Sequence, residues 1–180
     1  GAVLAAAGAI AEGRVLDVAV QAATHLTKPL YRMRGVTLHL GASRVLGDLR
    51  TDSPINPGNW GTARLRLKRA IPLPPGARFV LRGAADRQFG AVVGGGQVLD
   101  AAPPRKRAAA VRSRLAAAGA DGVAILVAEA GKRGVDPASL ALRLPITPRD
   151  GARLFAPGVI DAAATALLAQ VDAWHADHPQ

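Results

Sequence analysis

The chain has no cysteine, and its 180 residues include only one methionine, one tyrosine, two tryptophans and three phenylalanines. Without thiols, a disulfide framework, a thiolate zinc site and dithiol redox chemistry are all excluded. That suits a reducing compartment, and a cytoplasmic location is expected. With aromatics at 3%, any core must be built from Leu, Val, Ile and Ala with few large anchors. No run of 18 or more apolar residues occurs, because each Ala/Val/Leu-rich stretch is soon broken by a charge or by Gly or Pro, so no spanning helix is expected. The segment 1–10 is apolar but has no basic leader and is expected to be a domain edge rather than a signal peptide. Hydrophobic residues still make up 49%, which supplies a buried core and argues against wholesale disorder.

Motifs for chemistry are also missing. A nucleoside-triphosphate site needs the phosphate-cradling loop G-x-x-x-x-G-K-[ST]. Gly131-Lys132 is followed by Arg133 and lacks the upstream glycine, so it is read as a helix stop. Gly94-Gly95-Gly96 leads into Val98-Leu99, a strand pattern, where a phosphate site wants a helix N-terminus. Those glycines are expected to permit a close backbone approach or a bulge. His175 and His178 are spaced i, i+3 but have no third ligand at motif spacing, His39 is expected to face outward from a strand, and no metal site is expected. Ser43, Ser53, Ser113 and Ser139 have no nucleophile elbow or evident base. No catalytic residue and no cofactor is assigned to this chain.

What is abundant is positive charge. Lys and Arg number 23 against 13 Asp and Glu, a formal net charge of +10. A genome rich in G and C would explain the preference for Arg over Lys, but not the surplus of cations over carboxylates. Thirteen cations against six carboxylates lie between Gly1 and Ala101, and ten against seven lie beyond. Such a balance favours polyanions, nucleic acid above all.

The first hundred residues read as β structure. Alternation runs through 15–20, 36–40 and 63–68, and further strands are expected at 78–82 and 97–100. Turn chemistry separates them at Lys28-Pro29, Asn56-Pro57-Gly58-Asn59 and Pro74-Pro75-Gly76. Short strands at this spacing predict a sandwich or closed barrel. In 63–68, period two puts Arg64, Arg66 and Lys68 on one face and Leu65 and Leu67 on the other. Cations repeating every ~7 Å along a strand suit successive phosphates. An ordinary solvated barrel face is the plainer alternative.

At 102–107, Ala-Pro-Pro-Arg-Lys-Arg marks a composition shift and predicts a stiff, extended linker. Beyond it the period becomes helical. Ala108, Val111 and Leu115 share a face of a helix that Gly119 ends. Asp121 is expected to cap a second helix, with Val123, Leu126, Val127 and Ala130 on one stripe and Gly131 closing it. Asp136-Pro137 opens a third, to Leu144, and Thr147-Pro148 a fourth, to about Phe155. The last two make a helix-turn-helix, 156–160 is expected to form a small wing, and Ala162–Ala176 reads as a closing helix with Leu167, Leu168, Val171 and Trp174 inside. The expected organisation is a barrel over 1–101, a linker over 102–107 and a winged-helix domain over 108–180.

Four stretches occur in order: Leu38-His39-Leu40-Gly41-Ala42-Ser43-Arg44-Val45-Leu46-Gly47, then Ala63–Leu67, then Pro75-Gly76-Ala77-Arg78-Phe79-Val80-Leu81-Arg82, then Val93-Gly94-Gly95-Gly96-Gln97-Val98-Leu99-Asp100. Together they resemble the third domain of the bacterial selenocysteine-specific elongation factors, translational GTPases related to elongation factor Tu. The Pro103–Arg107 junction and the helical segment ending Trp174-His175-Ala176-Asp177-His178-Pro179 resemble that family's passage into its winged-helix array. The resemblance implies an antiparallel six-stranded barrel followed by a winged helix. It implies a longer parent with a GTPase domain, binding GTP and Mg, and a second barrel upstream, and with further winged helices downstream. It also implies partners: selenocysteyl-tRNA, the ribosome, and an mRNA hairpin read by the last winged-helix unit. On this reading the tRNA backbone is expected to meet Arg64, Arg66 and Lys68 first, then Arg78, Arg82 and Arg87. One departure is the stretch after Arg87, Gln88–Val93, which is longer than the Arg-Thr-Ile or Arg-Thr-Val that the family often places before its glycine triplet. Two rival readings are a DNA-binding winged-helix regulator using Thr147–Phe155 as recognition helix, and a purely structural connector.

Overall fold

The computed structural model describes residues 10–83, 92–147 and 151–178. Strands β1 (Ala11–Ala22), β2 (Leu30–Leu40), β3 (Ser43–Ile55), β4 (Trp60–Leu73), β5 (Arg78–Arg82) and β6 (Val92–Asp100) form a closed barrel in the order β1-β4-β3-β2-β5-β6. Every pairing is antiparallel. The alternation read from the sequence sets the inside: Leu16, Val18 and Val20 from β1, Leu38 from β2, Leu65 and Leu67 from β4, and Leu81 from β5 are buried together. Each such leucine contributes about 2 kcal/mol by leaving water.

The sequence pattern does not predict β3. Its 13 residues carry Gly47 and a terminal Ser53-Pro54, which read as punctuation, yet Val45, Leu49 and Thr51 point inward at period two. The glycine triplet behaves as expected. A Cβ on Gly96 would stand 1.9 Å from the Ala19 carbonyl oxygen and one on Gly94 2.6 Å from that of Gln21. Only glycine lets β6 close the barrel against β1.

Among the described residues four helices follow, α1 (Ala109–Ala118), α2 (Gly122–Ala130), α3 (Pro137–Ala141) and α4 (Val159–Asp177), with single 3-10 turns at Gly119–Asp121 and Gly131–Arg133. Gly119 and Gly131 stop α1 and α2 at positive φ, a backbone conformation that favours glycine. Asp136 caps α3, its side chain accepting from the Ala138 N–H, a bond worth about 1 kcal/mol. Asp121 precedes α2 but makes no capping hydrogen bond. Leu115, Leu126, Leu140 and Leu144 build a second core, and Leu99 of β6 packs against it.

Three expectations for the helical part fail. Residues 148–150 lie outside the described residues, and 151–155 are not helical: Leu154 pairs with Val135 through two reciprocal backbone hydrogen bonds of 2.8 Å. Arg153 strengthens that alternative by donating to the carbonyls of Arg133 and Gly134. No wing forms over 156–160 either, because Gly158, at φ 78°, ends a turn and Val159 already begins α4. Finally, Leu167 (61%), Leu168 (63%) and Trp174 (58%) of α4 are exposed, as is Val171, since no described element packs over that stripe.

Candidate nucleic-acid interface

The outer face of β4 is built as its alternation requires. Leu65 and Leu67 face the core, while Arg64, Arg66 and Lys68 face out. Their situations differ. Arg66 is exposed and makes no hydrogen bond or ion pair among the described residues. Lys68 is 65% exposed, its Nζ 3.4 Å from Asp48 Oδ2. Arg64 is nearly covered: its Nε donates to Asp17 Oδ1 at 2.8 Å, its second terminal nitrogen to Oδ2 at 3.0 Å, and its first to the Arg105 carbonyl.

Arg78 and Arg82 bound β5 and are exposed. In the six-strand circuit β5 lies three strands from β4 in either direction, so these two arginines are on the opposite side of the barrel from Arg64, Arg66 and Lys68. One ligand strand following β4 does not reach both groups. Arg87 lies outside the described residues.

What surrounds Arg64 is not legible from its local pattern. Asp17 of β1 and Asp100 of β6 are cross-strand partners, and both are fully buried on the outside of the barrel, under the junction with the helices. Two adjacent buried carboxylates are tolerable only with cations between and around them. Arg107 supplies the central one: its side chain is fully buried, 2.9 Å from Asp17 Oδ2 and 2.8 Å from Asp100 Oδ2, and its Nε donates to Glu129 Oε1 of α2 at 2.6 Å. Arg143, just beyond α3, grips Asp100 through two nitrogens at 3.2 and 2.7 Å. Arg112 of α1 forks onto Asp52 of β3, which also accepts from the Thr62 hydroxyl at 2.6 Å. Carboxylates from three strands and one helix are thus shared by arginines from β4, the junction and the helices.

Burial alone raises the Asp100 pKa, but the Arg143 hydrogen bond and charge, the Arg107 charge and the Ala102 N–H outweigh it and hold the carboxyl below its ordinary value. Asp52 shows the same contest, with burial raising and Arg112 and Thr62 lowering, and ends low. For Arg107, burial weakens the charge, but Glu129, Asp100 and Asp17 more than restore it, so the pKa is raised. These groups stay ionised at neutral pH, and the chemistry they do is structural: they join the helices to the barrel.

A cleft of about 970 Å³ opens beside this joint, between the wall formed by β2, β3 and β4 and the backbone at 105–109. It is polar and strongly basic. Among the described residues no group of three or more His, Asp or Glu side chains is arranged to hold a metal ion, and no helix is long and apolar enough to cross a membrane. His175 and His178 instead flank the Trp174 ring, with His178 stacked at 4.9 Å.

Comparison with known proteins agrees with this architecture. The family model described as the selenocysteine-specific elongation factor, β-barrel domain, matches residues 14–105. The crystal structure of the bacterial selenocysteine-specific elongation factor EF-Sec aligns with a TM-score of 0.54 at 19% identity, covering 78% of this chain and 22% of that one, a likeness of fold. This chain therefore spans under a quarter of that factor's length. A search of curated protein sequences found no match. The domain matched is a barrel and not a GTPase domain, and it accounts for just over half of the residues, from β1 to the first arginine of the junction: the chain belongs to the β-barrel family of the selenocysteine-specific elongation factors.

Proposed function

We propose that this chain is the tRNA-docking part of a selenocysteine-specific elongation factor, a cytoplasmic protein that carries selenocysteyl-tRNA to the ribosome at a recoded UGA. The observation that carries the proposal is the outward cation row of β4, Arg66 and Lys68 beside the anchored Arg64, on a barrel of this family. Such a row meets phosphates and leaves selectivity to the shape of the folded RNA. GTP hydrolysis belongs to a domain of the parent that this chain does not include. The helices link the barrel to the part of the parent that reads the mRNA hairpin. A linking role gains support from the buried ion pairs, which hold the helices to the barrel wall instead of leaving them on a loose tether.

The test is tRNA binding by the 180-residue chain, followed by anisotropy at several salt concentrations. Micromolar or tighter binding at low salt, falling steeply as salt rises, is expected. Arg66→Glu with Lys68→Glu should weaken binding and flatten the salt dependence. Arg64 is unsuitable for charge reversal because it holds Asp17. Unchanged affinity in the double variant at every salt concentration overturns the β4 assignment, and no tRNA affinity in the unaltered chain leaves only the connector role.

A further inference from the structure

The cleft beside the joint holds a cation arrangement that extends the β4 row across two neighbouring strands. Pairing register places Arg32 of β2 directly opposite Arg50 of β3, and Arg50 directly opposite Arg64 of β4. Arg32 and Arg50 are exposed and both line the cleft. Three arginines thus stand side by side across three strands, each about 5 Å from the next by cross-strand spacing. Like charges directly opposite each other destabilise a sheet. Asp17 relieves the row at its Arg64 end only. Among the described residues no carboxylate pairs with Arg32 or Arg50, and the cation nearest aromatic support is Arg32, 5.3 Å over the Tyr31 ring.

The opposite lip of the cleft adds to the surplus. Arg105 and Lys106 are exposed, and neither has a carboxylate partner among the described residues. The two acids in the lining are already engaged, Asp52 by Arg112 and Thr62, and Asp48 by the Gly35 N–H and Lys68. The position of Lys106 is fixed by its neighbour, since Arg107 is pinned by three carboxylates. Both lips are therefore held at a set separation, and the field between them is positive.

We infer that this cleft is a second phosphate-binding site, a cradle in which Arg32, Arg50 and Arg66 on the barrel wall and Arg105 and Lys106 on the junction clasp the sugar–phosphate backbone of a folded RNA. The proposal deepens the tRNA reading and rests on it. Backbone contact is favoured over base reading because the lining offers a single aromatic ring, Tyr31, at the rim and already under Arg32. A single-strand site would want successive stacking platforms. Bound phosphate would also remove the repulsion along the Arg32–Arg50–Arg64 row, so the arrangement that costs stability in the free chain gains it in the complex.

The experiment uses the full 180-residue chain and four separate variants: Arg32→Gln, Arg50→Gln and Lys106→Gln in the cleft, and Lys132→Gln in the exposed turn after α2, outside it. Each is checked for folding by thermal melting and titrated with tRNA, and the unaltered chain is also titrated with an unstructured single-stranded RNA of equal length, over a range of salt. The inference expects each cleft variant to lower the salt slope by about 1, as the loss of one phosphate contact does, with Lys132→Gln unchanged. It expects tRNA to bind more tightly than the single strand. Arg50→Gln should melt no lower than the unaltered chain, because it relieves like-charge contact, so a loss of affinity there is not a loss of fold. Should tRNA bind with full slope in all three cleft variants, the cleft is overturned while the tRNA reading stands. A tighter complex with the single strand overturns the backbone-cradle inference in favour of base stacking, and no RNA binding by the unaltered chain removes the reading beneath it.

Discussion

Arg107 concentrates more of the molecule's electrostatics than any other described side chain. It lies between Asp17 and Asp100 with Glu129 closing the third side, and all of its charge is compensated inside the protein. Replacing it with Ala leaves Asp17, Asp100 and Glu129 with Arg64 and Arg143 as their remaining close cations, a net negative charge in a buried cluster, and removing one partner of a buried ion pair costs about 3–5 kcal/mol. Arg107→Ala is therefore expected to lower the unfolding free energy by about that much in a urea titration, whereas Arg105→Ala, whose side chain is exposed two residues away, should change it by less than about 0.5 kcal/mol. Equal effects of the two substitutions would contradict the joint. None of this was legible in the sequence. Arg107 reads as one member of a basic linker, and its partners are separated from it by 90 residues (Asp17), 7 (Asp100) and 22 (Glu129), offsets with no periodicity to betray them. Arg64 was legible as an outward strand cation, but its capture by Asp17 depends on β1 and β4 being neighbours, which is tertiary information.

Among the elements, the barrel strands other than β3 and the first three helices follow local chemistry, while the surroundings of α4 do not. Period two identifies β4, glycine stops identify the ends of α1 and α2, and Asp136-Pro137 identifies the start of α3. Where pattern reading failed, the deciding contacts were non-local. β3 is held by partners on both sides despite its glycine, and 151–155 is drawn into a bridge with Val135 instead of completing a helix. The opposed placement of β4 and β5 follows from strand order, which short-range alternation does not encode. For α4, periodicity correctly predicted a helix with an apolar stripe but not its surroundings, for that stripe is bare along Ile160, Leu167, Leu168 and Trp174. A helix with no buried residue takes little stability from the rest of the molecule and returns little. Ending the chain after Pro157 should accordingly leave the main thermal transition within about 2 °C of its original midpoint, no more than a loss of about 1 kcal/mol produces in a chain of this size. The amides of α4 should also exchange with solvent far faster than those of α2. A drop of several degrees on truncation would mean that α4 packs in solution.

For the molecule as a whole, charge balance and the buried joint together set the response to acid. Asp17, Asp48, Asp52, Asp100 and Glu129 are all engaged with cations, within a chain whose cations already outnumber carboxylates by ten. Asp52 and Asp100 have lowered folded-state pKa values, as does Asp48, whose chief cause is the Gly35 N–H. The unfolded chain, with ordinary carboxylates near pH 4, therefore binds protons first as pH falls. Stability from these groups is fully present above about pH 4 and is lost as pH drops through the lower folded values. Arg107 and Arg112 are shifted upward, so their contribution fades only in strong alkali. Protonation below pH 4 also unmasks the positive excess, adding self-repulsion to the loss of the ion pairs. The melting temperature, followed by far-UV circular dichroism, should change little between pH 7 and 5 as far as these carboxylates govern it and fall steeply below 4. In Asp100→Asn the acid limb should be shallower, because one depressed carboxylate no longer titrates. An acid limb of undiminished steepness in that variant would assign the acid sensitivity to net repulsion alone and not to the joint between barrel and helices.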